Sequence, residues 1–199
     1  MKFSQLITLI IFALTIFYIL VGNPKITSEI YVTTIALTAL YGLIRKEPNV
    51  LHIALILMFI NLVEYIIFAY GIIDLSTAGK NRILHGVLIF GTHLLITVTS
   101  VILLIFRVQI SRVLSRSTKI ELTYFDGLFH WTFIYLALVS LLGLVEHLAR
   151  HVLGFHSITI IYYNFTSLVY IGWAVSCALL LTMVIVTEKK HKQRRFEPS

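Results

Sequence analysis

A single cysteine, Cys177, lies within an apolar run of the 199-residue chain, and this excludes an intramolecular disulfide and a cysteine-based zinc site. Charge is almost as scarce. Only 13% of the residues are Asp, Glu, Lys or Arg, while 58% are hydrophobic, and the mean hydropathy of +0.93 lies far above that of ordinary soluble domains. Catalytic signatures are missing too: there is no phosphate-cradling glycine loop, no Gly-x-Ser-x-Gly, no HExxH and no acidic metal motif. Most enzyme classes lose their footing, and the chain reads as a non-enzyme.

What is present is a series of apolar runs, at about 3–22, 29–44, 50–73, 83–106, 127–152 and 158–187, with nearly all the charges between them. A spanning helix needs about 20 residues, so six spans and their loops use the whole length and leave no separate soluble domain. The expected fold is all-α: one transmembrane helical bundle over residues 1–187 with a basic cytoplasmic tail at 188–199. The second run is the weakest, because only 15 residues separate Glu29 from Arg45, roughly 23 Å of helix against an apolar core of about 30 Å. Five spans are the fallback. Lys2 ahead of the run Leu6 to Val21 resembles a signal sequence, but Leu20 and Gly22 spoil the small-x-small cleavage pattern, so a retained first helix is expected.

Charge placement orients the bundle. With the N-terminus inside, Lys2, Arg45, Lys46, Arg107, Arg112, Arg116, Lys119, Lys189, Lys190, Lys192, Arg194 and Arg195 fall on one side, and Lys25, Lys80, Arg82 and Arg150 on the other. A majority of twelve among the 16 Lys and Arg predicts both termini in the cytoplasm of an inner (cytoplasmic) membrane. Dropping the second run would move only Lys2 to the minority side. The net charge of +7 therefore reads as topology bias and contact with anionic lipid, and nucleic acid is not expected. The stretch Arg107 to Glu121 has Val108, Ile110, Val113 and Leu114 beside its Arg and Lys residues, so it is expected to lie on the membrane or to continue the fourth span. That loop (Arg107, Arg112, Arg116, Lys119) and the tail (Lys189, Lys190, Lys192, Arg194, Arg195) form a candidate docking surface for a cytoplasmic protein, and further copies of the chain are a second possible partner.

Ionisable groups inside the hydrocarbon are the informative ones, since they cost at least a few kcal/mol to place there. Taking each run's midpoint as the bilayer centre, Glu64 lies about 4 Å and His93 about 2 Å outward of it. The two share a level on consecutive helices, where a carboxylate and an imidazole would share a proton or an ion-paired hydrogen bond. Asn61, one turn before Glu64, completes the candidate intramembrane polar site. The alternative is a satisfied interhelical bond that only fixes packing.

The fourth run supports a polar interior, because His85, Gly86, Thr92, His93, Thr97, Thr99 and Ser100 fall within about 160° of arc. In the fifth run Thr132, Tyr135, Gly143, Glu146, Arg150 and Gly154 share a face with His147 at its edge, Glu146 lying about 12 Å from the centre. An interfacial Glu146–Arg150 ion pair would explain these residues. The functional alternative is an outer vestibule of His85, Glu146, His147, Arg150 and His151, joined by His156, feeding the Glu64–His93 level. His147 and His151 in H-x3-H spacing would bind a metal with Glu146 or His85 as third ligand. A b-type haem would need His85 opposite His147 or His151. Only one such histidine pair occurs, which argues against the multi-box membrane desaturases and hydroxylases. Leu62-Val63-Glu64 and Leu144-Val145-Glu146, 82 residues apart, hint at a repeated hairpin. In the sixth run Gly172, Ala174, Ser176 and Ala178 are small-x3-small pairs suited to close packing.

Three functions fit these residues: a proton- or ion-linked transporter or channel using Glu64 and His93; a non-enzymatic sensor, anchor or immunity subunit docking a cytoplasmic partner; and a haem or metal protein built on the outer histidines.

Overall fold

The computed structural model describes residues 3–73, 81–115, 120–155 and 159–196. Of the residues singled out above, Lys2, Lys80, Arg116, Lys119 and His156, and the side chains of Arg194 and Arg195, lie outside that description. The described residues form seven α-helices: α1 (Phe3–Ile19), α2 (Pro24–Ile44), α3 (Pro48–Ala69), α4 (Arg82–Ile105), α5 (Arg107–Ser115), α6 (Tyr124–Val152) and α7 (Ile160–Phe196). Five of them, α2, α3, α4, α6 and α7, are long and apolar enough to cross a membrane. The chain is thus compatible with an integral, multi-pass membrane protein.

The short helix is not the one the charges suggested. Glu29 does not mark the start of the second helix; both it and Lys25 belong to α2. Asn23 caps the helix by accepting the Ile26 N–H at 3.4 Å, Pro24 sits in the first turn where its missing N–H costs nothing, and Lys25 and Glu29 pair at 4.0 Å on the exposed side. The result is a 21-residue α2. It is α1 that is shorter, 17 residues, because a turn closed by the Asn23 N–H on the Leu20 carbonyl (2.8 Å) ends it early.

Packing makes α7 the central post, in contact with α1, α2 and α6, while α2 pairs with α3 and α4 pairs with α6. The small residues expected to permit this do so: Ala174, Ser176 and Ala178 are buried, and a Cβ on Gly172 would lie 2.5 Å from Leu136 of α6. The outside is apolar, with Phe12, Leu95 and Trp131 all more than half exposed, as a lipid-facing surface requires. Contacts between α3 and α4 are sparse by comparison, leaving a seam between the α2–α3 pair and the α4–α6 pair.

The ends of the bundle differ in charge. At one end the α2–α3 turn meets the last turns of α7, through Arg45–Glu188 at 2.8 Å and His191–Glu47 at 2.7 Å, and meets α5 through Asn49 and Arg107 at 3.2 Å. This basic end also carries Lys46, Arg112, Lys189, Lys190 and Lys192, whereas Lys25, Arg82 and Arg150 lie at the other. α7 has 37 residues, about 55 Å, and continues through position 188 without a break, so much of the expected tail is the helix's own extension.

Candidate functional site

Glu64 of α3 and His93 of α4 meet across the seam, with Oε1 3.1 Å from Nδ1 and both side chains about four-fifths buried. The His93 ring is sandwiched on its other sides: it stacks on Phe68 at 4.7 Å and receives the edge of Phe165 at 5.6 Å. The pair borders a cavity of ≈ 30 Å³ whose remaining polar lining is Tyr31, Asn61, Thr97, Ser100 and Ser140. About two water molecules fit such a space. Thr97 turns its hydroxyl to the His93 carbonyl at 2.8 Å, Ser100 donates to the Ile96 carbonyl at 2.6 Å and Ser140 to the Leu136 carbonyl at 3.0 Å. Each spends its proton on its own helix and keeps lone pairs for the cavity.

All three residues of the expected intramembrane site, Asn61, Glu64 and His93, therefore line one space. Thr97 and Ser100 of the fourth-run arc join them, while Thr99 is exposed. Sequence reasoning passed over Tyr31, which is buried in α2 and stacks face to face on Trp173 of α7 at 4.8 Å. Its signal was a polar aromatic inside the weakest of the six apolar runs.

The outer residues are arranged differently. Glu146 does not pair with Arg150; its carboxylate caps α7, accepting the Ile161 N–H at 2.8 Å and the Tyr162 N–H at 3.2 Å, where the positive end of the helix favours a negative charge. Arg150 instead lies over the rings of Tyr162 and Tyr163, at 5.0 and 5.5 Å. The His147 and His151 rings lie 4.6 Å apart with their planes tilted by 57°, and His147 Nε2 lies 3.3 Å from the Ile83 carbonyl. Among the described residues no group of three His, Cys, Asp or Glu side chains can hold a metal ion. His147 is also pressed against Gly86, so tightly that a Cβ there would overlap its ring. His85, partly buried at the start of α4, takes no part in these contacts.

The basic end holds a second polar centre that its sequence concealed. Arg107, expected to face a partner, is fully buried. Its guanidinium pairs with Asp126 of α6 (Nε to Oδ1 2.5 Å, Nη2 to Oδ2 2.8 Å) and also donates to Asn49 Oδ1 and the Glu121 carbonyl at 3.2 and 2.7 Å. Asp126 in turn accepts the Thr123 N–H at 2.6 Å and its hydroxyl at 2.8 Å. The capping box Thr123-x-x-Asp126 was the available signal. Arg107 thus joins α3, α5 and α6 and is not a docking residue. Arg112, Lys189, Lys190 and Lys192 remain exposed, Arg112 with its Nε donating to the Ile120 carbonyl at 3.0 Å. Between the α2–α3 turn, the start of α6 and the end of α7 lies a cleft of ≈ 1060 Å³ flanked by Lys46 and Lys190. No known protein family, curated protein or solved structure matches the chain.

Proposed function

We propose that the protein crosses an inner (cytoplasmic) membrane six times with both termini inside, and that the Glu64–His93 pair serves proton- or ion-linked transport. The charge distribution supports the orientation: Arg45, Lys46, Arg112, Lys189, Lys190 and Lys192 gather at one end of the bundle, as positive-inside placement requires. The single observation that carries the function is the 3.1 Å contact of a carboxylate and an imidazole beside a small polar cavity. Groups of this kind are expensive inside hydrocarbon, and structural glue needs neither two titratable partners nor a space beside them.

The test is flux through proteoliposomes of the purified chain under an imposed potential, read with internal pH- and cation-sensitive dyes. Glu64→Gln should reduce flux to that of protein-free vesicles while the protein still elutes as one monodisperse species. Undiminished flux in that variant would show that the pair only holds α3 to α4.

A second reading is favoured by the cleft at the basic end: a sensor, anchor or immunity subunit that docks an acidic cytoplasmic partner there. Lys46 and Lys190 flank the cleft, and Lys189 and Lys192 are exposed beside it on the same helix end.

A further inference from the structure

The two sides of the Glu64–His93 pair are not alike. α3 and α6 run away from the basic end and α4 and α7 run toward it. Phe68, Phe90 and Phe165 therefore all lie on the far side of the pair, Asn61, Thr97 and Ser100 on the basic side, and Ser140 level with His93. On the far side three phenyl rings gather, Phe68 and Phe165 each against His93. Phe165 meets Phe90 edge to face at 4.9 Å, and Phe90 reaches His147 at 5.9 Å. Gly143 makes room for that ring, since a Cβ there would lie 2.9 Å from Phe90. Tyr162 also meets Phe90, at 6.2 Å, and beyond these rings His147 has a buried Nδ1 that no protein group meets.

The cavity itself lies on the basic side of the pair, where Leu57 and Phe133 close it, and two more imidazoles lie beyond those side chains. His52, nine-tenths buried, has an Nδ1 that no protein group meets, and His130 has such an Nε2. Asn49, which holds Arg107, lies one turn before His52 on α3, and Asp126, its ion-pair partner, one turn before His130 on α6. The two imidazoles thus sit one turn inward of the same anchor.

The cavity's size and chemistry select what binds. A space for about two waters does not admit a cation with its hydration shell. A bare cation needs about six oxygen ligands gathered around it; the lining offers one carboxylate and one amide on α3 and hydroxyls dispersed over α2, α4 and α6, facing an imidazole. The titratable groups that line it are Tyr31, Glu64 and His93, with none from α6 or α7. Resting on the transport reading above, we infer that the species bound is a proton, received from the basic side and barred from the far side by Phe68, Phe90 and Phe165. A proton on a cavity water passes to the carboxylate of Glu64, which leaves neutral water behind, and is then shared with His93 Nδ1. The site gains one positive charge and no other bond changes.

The experiment has two arms. In proteoliposomes the wild-type chain should carry protons while Na⁺ and K⁺ stay at the protein-free level, Glu64→Gln should abolish the proton flux, and Phe90→Ala should raise it. Flux of Na⁺ or K⁺ that Glu64→Gln removes would overturn the proton assignment and leave the transport reading standing. Absence of any flux, or a flux indifferent to Glu64→Gln, would overturn that reading and this inference with it. The second arm needs no transport. With Cys177 replaced by Ala, Ser100→Cys should bind Ag⁺, a thiol-reactive probe about the size of a water molecule, when it is added from the basic side alone. Labelling from the far side, or from neither, would overturn the access route.

Discussion

At the scale of single residues, the buried Arg107–Asp126 pair shows how little a charge's position in the sequence says about its role. Arg107 closes an apolar run and so reads as a topology signal, but its guanidinium finds Asp126, Asn49 and the Glu121 carbonyl within reach. Removing one member leaves the other charged and without its counterion, which costs about 3–5 kcal/mol, whereas replacing both with apolar residues of like volume costs much less. Arg107→Leu and Asp126→Leu should each lower the thermal transition in detergent, followed by tryptophan fluorescence, by more than the double variant does. Equal or additive losses would mean that the pair contributes only through packing. Glu64 and His93 were legible beforehand for a different reason: helix rise fixes depth within a span, and two groups at one depth on adjoining antiparallel helices meet whenever both face inward. Depth is linear in sequence; the partner of an end-of-helix charge is not.

At the scale of elements, the apolar runs pointed to a series of long helices, five of which are long and apolar enough to cross a membrane, because a backbone in hydrocarbon must bond to itself over about 20 residues. They did not reveal where α2 begins. Charge places its start at Glu29 and leaves Lys25 in the turn before it, though the Asn23-Pro24 cap is the sounder signal and charged side chains at an interface do not stop a helix. Helix rotation was legible only in part: the α4 arc brought Thr97 and Ser100 to the cavity yet left Thr99 exposed. Close approach is written into glycines, but not all of them. A Cβ on Gly42 would sit 2.6 Å from the Leu51 backbone N, where the α2–α3 corner is tightest, while one on Gly91 of α4 would meet nothing within 4 Å. Gly42→Ala should therefore destabilise by about 1–3 kcal/mol, since backbone cannot step aside. Gly91→Ala should gain up to about 1 kcal/mol from helix propensity. Thermal transitions of the two variants, measured side by side, check the opposite signs.

At the scale of the whole molecule, the α2–α3 and α4–α6 pairs lean on α7 and touch each other mainly along the Glu64–His93 seam, so what fastens α7 governs how the seam can open. The far end of α7 is held by the Glu146 cap. Its basic end is held by Glu188, which meets Tyr41 at 2.9 Å and Arg45 at 2.8 Å, and by His191 against Glu47. That latch was illegible in sequence, because residues 188–199 look like a loose cationic tail and only the length of α7 brings them back to the α2–α3 turn. It also separates the two proposed functions experimentally. Deleting residues 188–199 removes the latch together with the exposed lysines, while deleting 193–199 keeps Glu188, His191 and Lys192. Two partly exposed ion pairs contribute about 1 kcal/mol in all, so the longer deletion should lower the thermal transition by roughly 2–4 °C and the shorter one should leave it unchanged. If the basic end docks a protein, capture of one specific partner from membranes should survive the shorter deletion and fail in Lys46→Glu/Lys190→Glu, which reverses the cleft's charge without touching the latch. Proton flux unaffected by that double substitution would place transport at Glu64 and His93 and leave the cleft to the partner.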